Sequence, residues 1–169
     1  MCKRLVIPAI LAVLVMVSCK KDAQYTTMDV RMTDGPGAFD QVNIDIQQVL
    51  VKTSADTSNW IILNTNAHVY NLLNFQNGAD TLLASGSVPI QTVKEIRFVL
   101  GANNSVMVAG VIIPLTAPSA TDSGLKIKID KTLTASGTNT IILDFDAQSS
   151  IVITGNNSFI LKPVIRLKA

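Results

Sequence analysis

The sequence has little of the residue types on which most catalytic and metal sites depend. It contains one histidine, His68, and two cysteines, Cys2 and Cys19. A single histidine excludes a multi-histidine zinc site, and we place His68 at a strand edge, bonded to water or to the backbone. The sequence contains no Gly-x-Ser-x-Gly elbow, phosphate-binding loop or dinucleotide fingerprint. We therefore predict no cofactor and no enzymatic activity.

Long hydrophobic runs are also missing, apart from one at the N-terminus. Cys2-Lys3-Arg4 precedes an apolar run from Leu5 to Val17, which has the length of a signal-peptide core. The run is too short to cross a bilayer, because a spanning helix needs about 20 apolar residues. It ends in Met16-Val17-Ser18-Cys19, which resembles the lipobox of bacterial lipoproteins, in which the cysteine is acylated and becomes the first residue.

The lipobox predicts a lipoprotein signal peptide over residues 1–18, lipidation at Cys19 and a lipidated spacer over residues 19–26. Several acyl chains attach a protein durably, whereas one myristoyl-sized chain gives only marginal binding. Lys20-Lys21-Asp22 resembles the start of many lipoproteins of Bacteroidota. We expect an outer-membrane lipoprotein of the cell envelope, in either leaflet, with the membrane as a partner through the anchor. An ordinary cleaved signal with a chance cysteine is the alternative.

Charge and cysteine content limit what the rest of the chain can be. Removing residues 1–18 leaves 169 − 18 = 151 residues, a length that suits one domain with a sizeable core. The removed segment contains Lys3 and Arg4, so 14 − 2 = 12 basic residues face 12 acidic ones. This balance gives no reason to expect nucleic acid as a partner. A lipidated Cys19 leaves no cysteine for a disulfide, so packing must stabilise the fold.

Apolar and polar residues alternate along most of the remaining chain, which is the period of half-buried strands. Thr27 to Met32, Lys94 to Leu100 and Leu125 to Asp130 alternate in this way. Segments rich in glycine, proline and asparagine separate the strands as turns. The pattern predicts one all-β domain over residues 27–169, an antiparallel β-sandwich of about eight to ten short strands with at most one short helix.

Four segments depart from the alternation. Gln47-Gln48 predicts a β-bulge between two apolar phases. Asn74 to Gly86 is the one plausible helical segment, as a single turn or a long loop. Ala109-Gly110 separates two short strands, but alanine is strained at the first position of a type I′ turn, so we expect another turn or a longer loop. Pro163 cannot donate a backbone hydrogen bond, which predicts an edge or a bulge in the last strand, from Phe159 to Lys168.

Several blocks of sequence resemble a known family. Met32-Thr33-Asp34-Gly35-Pro36-Gly37-Ala38-Phe39-Asp40, followed by Val42-Asn43-Ile44, is similar to the opening block of bacterial and archaeal secreted lipoproteins called domain of unknown function 4382. Leu161-Lys162-Pro163-Val164-Ile165-Arg166 resembles the end of that family. The resemblance implies a β-sandwich of immunoglobulin or transthyretin-like character and implies no activity. Gln91 stands where relatives tend to have glycine, so we expect the turn there to differ.

Four carboxylates are candidate calcium ligands. Asp34 and Asp40 lie in a glycine-containing loop, and Asp144 and Asp146 lie two residues apart on a predicted strand and would share a face. Calcium prefers such hard oxygen ligands, although a turn cap at Asp34 and solvated Asp144 and Asp146 are the simpler interpretation. Asp144 and Asp146 could also meet the carboxyl separation that a glycosidase needs, about 5 to 9.5 Å, but nothing else in the sequence supports an enzyme.

Five outward-facing cations form a candidate binding surface. They could join into a basic stripe if the two strands that carry them are neighbours, and a stripe of this kind contacts anionic polysaccharide or lipid head groups. Ordinary solubility and protection of a sheet edge is the simpler interpretation. The stripe consists of Lys126, Lys128, Lys162, Arg166 and Lys168.

These features predict a lipid-anchored envelope protein that is a non-catalytic binding or structural module, with a glycan or an envelope protein as possible partner. An accessory carbohydrate-binding surface lipoprotein is the alternative. Sugar-stacking modules usually expose several aromatic residues, whereas Trp60 heads an apolar run and is expected in the core. The loops at Asn103-Asn104 and Asn156-Asn157 could bind glycans through hydrogen bonds alone.

Overall fold

The computed structural model of the chain describes residues 24–54, 58–117, 124–155 and 158–168. The predicted signal peptide, the predicted lipidation site Cys19 and the Asn156-Asn157 loop lie outside these residues. Within them the chain forms fourteen β-strands, one 3₁₀ turn (Leu72–Phe75) and one short α-helix, α1 (Ala147–Ser150). The strands are β1 (Tyr25–Thr33), β2 (Gln41–Thr53), β3 (Ile61–Ile62), β4 (Asn64–Thr65), β5 (His68–Asn71), β6 (Thr81–Pro89), β7 (Thr92–Leu100), β8 (Ser105–Val108), β9 (Val111–Pro114), β10 (Leu125–Thr132), β11 (Thr138–Phe145), β12 (Ile151–Ile153), β13 (Phe159–Leu161) and β14 (Ile165–Leu167).

The strands form two main sheets, which confirms the predicted all-β sandwich. The first sheet has the order β14-β11-β1-β6-β4, and the second has the order β10-β7-β2-β8-β9, with β3 and β5 also paired to β2. Strands β12 and β13 form a separate pair. The strands outnumber the predicted eight to ten because pieces as short as β3 and β4 leave no periodic pattern in the sequence. All pairs are antiparallel except β1 with β11, which run parallel.

The register defines two ends of the sandwich. Tyr25 pairs with Pro89 at the start of β1, and Thr132 pairs with Thr92 just after the following turn. We call this the lower end. Strand β1 finishes at the opposite, upper end, where the loop after Thr33 lies near α1. The first strand therefore places the N-terminal segment at the lower end.

Alternating residues of the long strands supply the core, as the sequence predicts. Met28 and Val30 of β1 and Ile96 and Phe98 of β7 are fully buried. Each buried side chain of this kind contributes about 1.5 to 3 kcal/mol relative to an exposed one. The predicted bulge in β2 is also confirmed, since the pairing of β2 with β7 shifts register between Ile46 and Gln48.

The segment around Leu82 and Leu83 is a strand, so its prediction as a helical turn or loop is wrong. A bulge explains the misleading pair of leucines, because the β1–β6 register shifts between Val30 and Arg31 and leaves Leu83 without a partner on β1. Leu83 consequently faces the core while Leu82 is exposed. The helical turn lies earlier, at Leu72–Phe75.

The prediction of another turn or a longer loop between β8 and β9 is wrong. Ala109 and Gly110 have φ angles of 50° and 76°, and Val108 pairs with Val111, so the connection is a two-residue turn of type I′. This conformation costs alanine about 1 kcal/mol. The Gly110 N–H donates to Asp40 Oδ2 at 2.9 Å, and this hydrogen bond helps to hold the turn.

Pro163 ends one strand and separates it from another. The predicted last strand is divided into β13, which pairs with β12, and β14, which pairs with β11 in the first sheet. Proline cannot continue a ladder, so the chain changes sheets at this point. The edge position predicted from Pro163 is confirmed for β14, which is the terminal strand of its sheet.

Candidate functional site

The predicted basic stripe lies along the gap between two sheet edges. Strand β10 ends the second sheet and β14 ends the first, and no ladder joins them. Lys126 and Lys128 line one shallow cavity together with Pro163 and Ile165, so the two strands that carry the stripe are neighbours. Lys168 belongs to a separate cavity on the other side of Leu167. The structure therefore brings together only part of the predicted stripe.

The remaining two members of the stripe lie elsewhere or are already paired. Lys162 follows β13 and is exposed. Arg166 forms an ion pair with Asp146, with 3.4 Å between Nη2 and Oδ2. The charge of Arg166 is thus partly neutralised, whereas Lys126 and Lys128 have other neighbours across the second sheet.

Cross-strand pairing surrounds Lys126 and Lys128 with further charges. Lys126 lies opposite Arg97, and Lys128 lies opposite Glu95, which in turn lies opposite Lys52. Ile127 on β10, Ile96 on β7 and Val51 on β2 alternate with these residues and are buried, so the charged side chains point to the outer side of the second sheet. We call this surface the basic face, and it consists of Lys52, Glu95, Arg97, Lys126 and Lys128.

Trp60 belongs to the basic face rather than to the core, so its predicted place is wrong. The Arg97 Cζ atom lies 4.0 Å from the centroid of the indole ring, and the Lys52 Nζ atom lies 4.9 Å from it. Both distances allow a cation–π interaction. Trp60 is half-buried, and because it precedes β3 it lies beside β2 on the outer side of the sheet.

Among the described residues the cations of the basic face form no ion pair, although Glu95 lies opposite both Lys128 and Lys52 on the neighbouring strands. The ion pairs of the described residues are Arg31–Asp80, Lys94–Asp130 and Arg166–Asp146, and none of them involves the basic face. The Arg97 Nε atom is buried and donates no hydrogen bond to any of the described residues. An open depression of about 810 Å³ lies beside the face, and its lining includes Lys52 and Lys128 together with the acidic Glu95 and Asp130.

Gly124 allows β10 to begin close to Arg97. Its φ is +70°, and a Cβ atom there would lie 2.8 Å from the Phe98 carbonyl oxygen and 2.9 Å from Arg97 Cγ. Any other residue would be strained in this conformation and would push against the arginine stem. The glycine therefore helps to fix where the guanidinium group lies.

Three of the four candidate calcium ligands accept hydrogen bonds within the fold. Asp34 is 5% exposed, and its Oδ1 accepts a hydrogen bond of 2.9 Å from the Ala147 N–H. Asp40 accepts from Gly110, and Asp146 accepts from the Ser149 N–H at 2.8 Å as the N-cap of α1. Asp144 lies on β11 and raises the pKa of Asp34 by charge repulsion. In the described residues no three His, Cys, Asp or Glu side chains gather as a metal site.

Two of these carboxyl groups have shifted pKa values, in opposite directions. Burial raises the pKa of Asp34 above its usual value, and the hydrogen bonds from Ala147, Gln76 and Gly35 oppose that shift. The hydrogen bond from the Ser149 N–H lowers the pKa of Asp146, and the charge of Arg166 adds to this effect. The sequence predicts that Asp144 and Asp146 share a strand face. This prediction is wrong, because Asp146 caps α1 and lies after the end of β11.

Asp45 is a buried carboxylate that sequence reasoning missed. It is 2% exposed, and its Oδ2 accepts from the backbone and side-chain nitrogens of Asn103 at 3.1 and 3.0 Å. Asn104 is buried as well and accepts from the Asp45 N–H at 2.9 Å. These asparagines therefore hold a loop over Asp45, and their glycan-binding role stays a prediction. The pairing spans more than fifty positions, and no local pattern announces it.

His68 lies on the paired strand β5 and is exposed. Its Nδ1 lies 3.1 Å from the Asn66 carbonyl oxygen, and its ring packs against Tyr70 with centroids 3.7 Å apart. The expected backbone partner at a sheet edge is confirmed.

Comparison with known proteins gives one match. Residues 25–163 match the model of a family described as Domain of unknown function (DUF4382), which confirms the resemblance drawn from the sequence blocks. No curated protein and no solved structure matches the chain. Among the described residues, no helix has the length and apolar character needed to cross a membrane.

Proposed function

We propose that this chain, which belongs to the family described as Domain of unknown function (DUF4382), is a lipid-anchored, non-catalytic binding module of the cell envelope. The basic face carries the proposal, because its four cations outnumber its one carboxylate and, in the described residues, form no ion pair. Such a surface suits recognition by charge and contact, which requires no reacting group. A glycan or an envelope protein is the expected class of partner.

The position of the first strand supports an anchor at Cys19. Strand β1 begins at Tyr25, so only residues 20–24 separate it from the cysteine. An extended chain covers at most about 3.6 Å per residue, which keeps the lower end of the sandwich within about 20 Å of the acyl chains. The domain would then stand on the outer-membrane leaflet that receives the lipid, with its upper end directed away.

Acyl labelling tests the anchor directly. We expect the full chain, produced in cells fed an alkyne fatty acid, to incorporate the label and to sediment with membranes. Cys19→Ala should abolish the labelling, because this thiol is the predicted acceptor. The matched control is Cys2→Ala, which removes the other cysteine of the sequence and should leave the labelling unchanged.

Two results would contradict the anchor. Labelling that persists in Cys19→Ala would place the lipid elsewhere. A mature protein that starts at another residue, with an unmodified Cys19 by mass spectrometry, would indicate an ordinary cleaved signal. In either case the envelope module would lose its attachment, although its fold would be unaffected.

An accessory carbohydrate-binding lipoprotein is the second candidate, and Trp60 favours it. Trp60 is only half-buried, so its indole offers an apolar surface with a polar N–H to a ligand. The single tryptophan of the sequence gives a narrower platform than modules with several exposed aromatic residues. A glycan array probed with the full chain tests this candidate, and an array without hits would reject it.

A further inference from the structure

We propose that the basic face binds an acidic polysaccharide, with carboxylate or sulfate groups of the polymer paired to Lys126, Lys128, Arg97 and Lys52 beside Trp60. This inference rests on the proposed function in one respect, because a location in the cell envelope brings the face into contact with such polymers. It adds the ligand class and the residues that bind it.

The charge arrangement is the first reason. The face holds four cations and one carboxylate, a net charge of 4 − 1 = +3. Lys126 and Arg97 lie directly opposite each other on β10 and β7, and like charges in this position destabilise a sheet. An anion between the two cations removes that repulsion. A local cost of this kind is expected where a residue serves binding rather than folding.

The shape of the face indicates a polymer rather than a small anion. Neighbouring strands lie about 4.8 Å apart and alternate residues about 7 Å apart along a strand. The cations therefore spread over a flat area of roughly 10 by 7 Å instead of converging on one point. A single phosphate or carboxylate would meet only one or two of them, whereas an extended chain with repeated acidic groups can meet all four.

The orientation of the face favours a polysaccharide over a lipid surface. The strands that carry the cations rise from the lower end, where the N-terminal segment enters at Tyr25. Lys126 and Arg97 lie level with each other, five residues above Thr92, which is about 17 Å along the strand. A membrane at the lower end would lie beside the face rather than against it. The open depression next to Lys52 and Lys128 leaves room for a chain to pass.

Trp60 provides the readout, because it is the only tryptophan of the sequence and lies within the face. The protein, purified from its producing cells in uncharged detergent, is titrated with alginate and, as a neutral control, with pullulan. We expect alginate to shift or quench the Trp60 emission and pullulan to have no effect. Raising the salt from about 50 to about 300 mM should weaken the alginate response, since exposed charges are then screened.

Variants locate the response on the face. Lys126→Gln/Lys128→Gln should weaken alginate binding roughly five- to tenfold, because two exposed ion pairs are lost. The matched control is Lys162→Gln/Lys168→Gln, which changes the same charge off the basic face and should alter binding less than twofold. Unchanged melting temperatures show that each variant is folded.

Three outcomes overturn the inference. Equal responses to alginate and pullulan would remove the role of charge, and equal weakening by the two double variants would remove the role of this face. The third outcome is tested by reconstituting the protein in phosphatidylcholine vesicles, with and without phosphatidylglycerol, and recording the Trp60 emission. A Trp60 change that requires phosphatidylglycerol, with no response to alginate, would assign the face to a lipid surface instead. Failure of acyl labelling at Cys19 leaves the alginate and pullulan titrations interpretable, so the two proposals fail separately.

Discussion

The carboxylates of the upper end are bound within the fold, whereas the lysines of the basic face are exposed to solvent. At the upper end, the carboxylates of Asp34, Asp40 and Asp146 accept hydrogen bonds from the protein's own backbone amides. On the basic face, Lys126 and Lys128 are exposed and have no ion-pair partner in the described part of the chain. The carboxylates therefore stabilise the fold, whereas the two lysines form no ion pair among the described residues. Residue type alone does not reveal this difference.

We expect the largest change in stability at Asp45, the carboxylate that the fold encloses most tightly. A Cβ atom on Gly101 would lie 2.2 Å from Asp45 Oδ2 and 2.6 Å from Asp45 Cγ, so Gly101→Ala must displace the buried carboxylate from its asparagine partners. We expect a loss of about 3 kcal/mol in unfolding free energy, measured by urea titration. Gly35→Ala is the control, because nothing lies within 4 Å of the added atom. Equal effects of the two substitutions would contradict the enclosure of Asp45.

A medium effect is expected from the pH dependence of stability, with opposite signs for two acids of the upper end. Burial raises the pKa of Asp34 above 3.8, so just above pH 3.8 the folded state binds more protons than the unfolded chain and stability falls as pH rises. The hydrogen bond from Ser149 lowers the pKa of Asp146 below 3.8. Just below pH 3.8 the unfolded chain therefore binds more protons, and stability rises with pH.

Asparagine substitutions separate these two contributions. Asp34→Asn should remove the fall above pH 3.8, and Asp146→Asn should remove the rise below it while keeping a good helix cap. Unfolding free energies from urea titrations between about pH 2.5 and 6 provide the measurement. Slopes of the same sign for both groups would contradict the opposite effects of burial at Asp34 and of the Ser149 hydrogen bond at Asp146.

The smallest effect is expected on the basic face. Lys126→Gln/Lys128→Gln removes two exposed charges that have no ion-pair partner among the described residues, so the unfolding free energy should change by less than about 0.5 kcal/mol. A slight gain would follow from relief of the repulsion between Lys126 and Arg97. Thermal unfolding in low salt is the measurement. A loss of more than about 1 kcal/mol would mean that these lysines stabilise the fold and that the comparison fails.

The sequence predicts the long strands well because their signal is local. The alternation of Met28, Val30 and Met32 places β1, and Gln47-Gln48 places the bulge in β2, since neighbouring residues alone determine both patterns. The sandwich follows from repeating this argument along the chain. Which strands pair, and in which direction, does not follow, because the parallel contact of β1 with β11 joins residues more than a hundred positions apart.

The candidate site was harder to predict, because partners from distant strands define it. Lys126 and Lys128 were identified from β10 alone, but their grouping with Arg97 and Lys52 needs the order β10-β7-β2. Trp60 was assigned to the core because it starts an apolar run, whereas two cations hold it at the outer surface. The contacts of Asn103 and Asn104 with Asp45 could not be predicted either, because more than fifty positions of sequence separate them.

The central position of β1 also determines how the domain would respond to force. The strand lies between β6 and β11, and its ladders with them run along nearly its whole length. Tension applied through the residues before Tyr25 acts along the strand and loads both ladders in shear at once, so many hydrogen bonds must break together. A tether joined to an edge strand would instead unzip one bond at a time, and the domain is therefore built to withstand pulling from its N-terminal side.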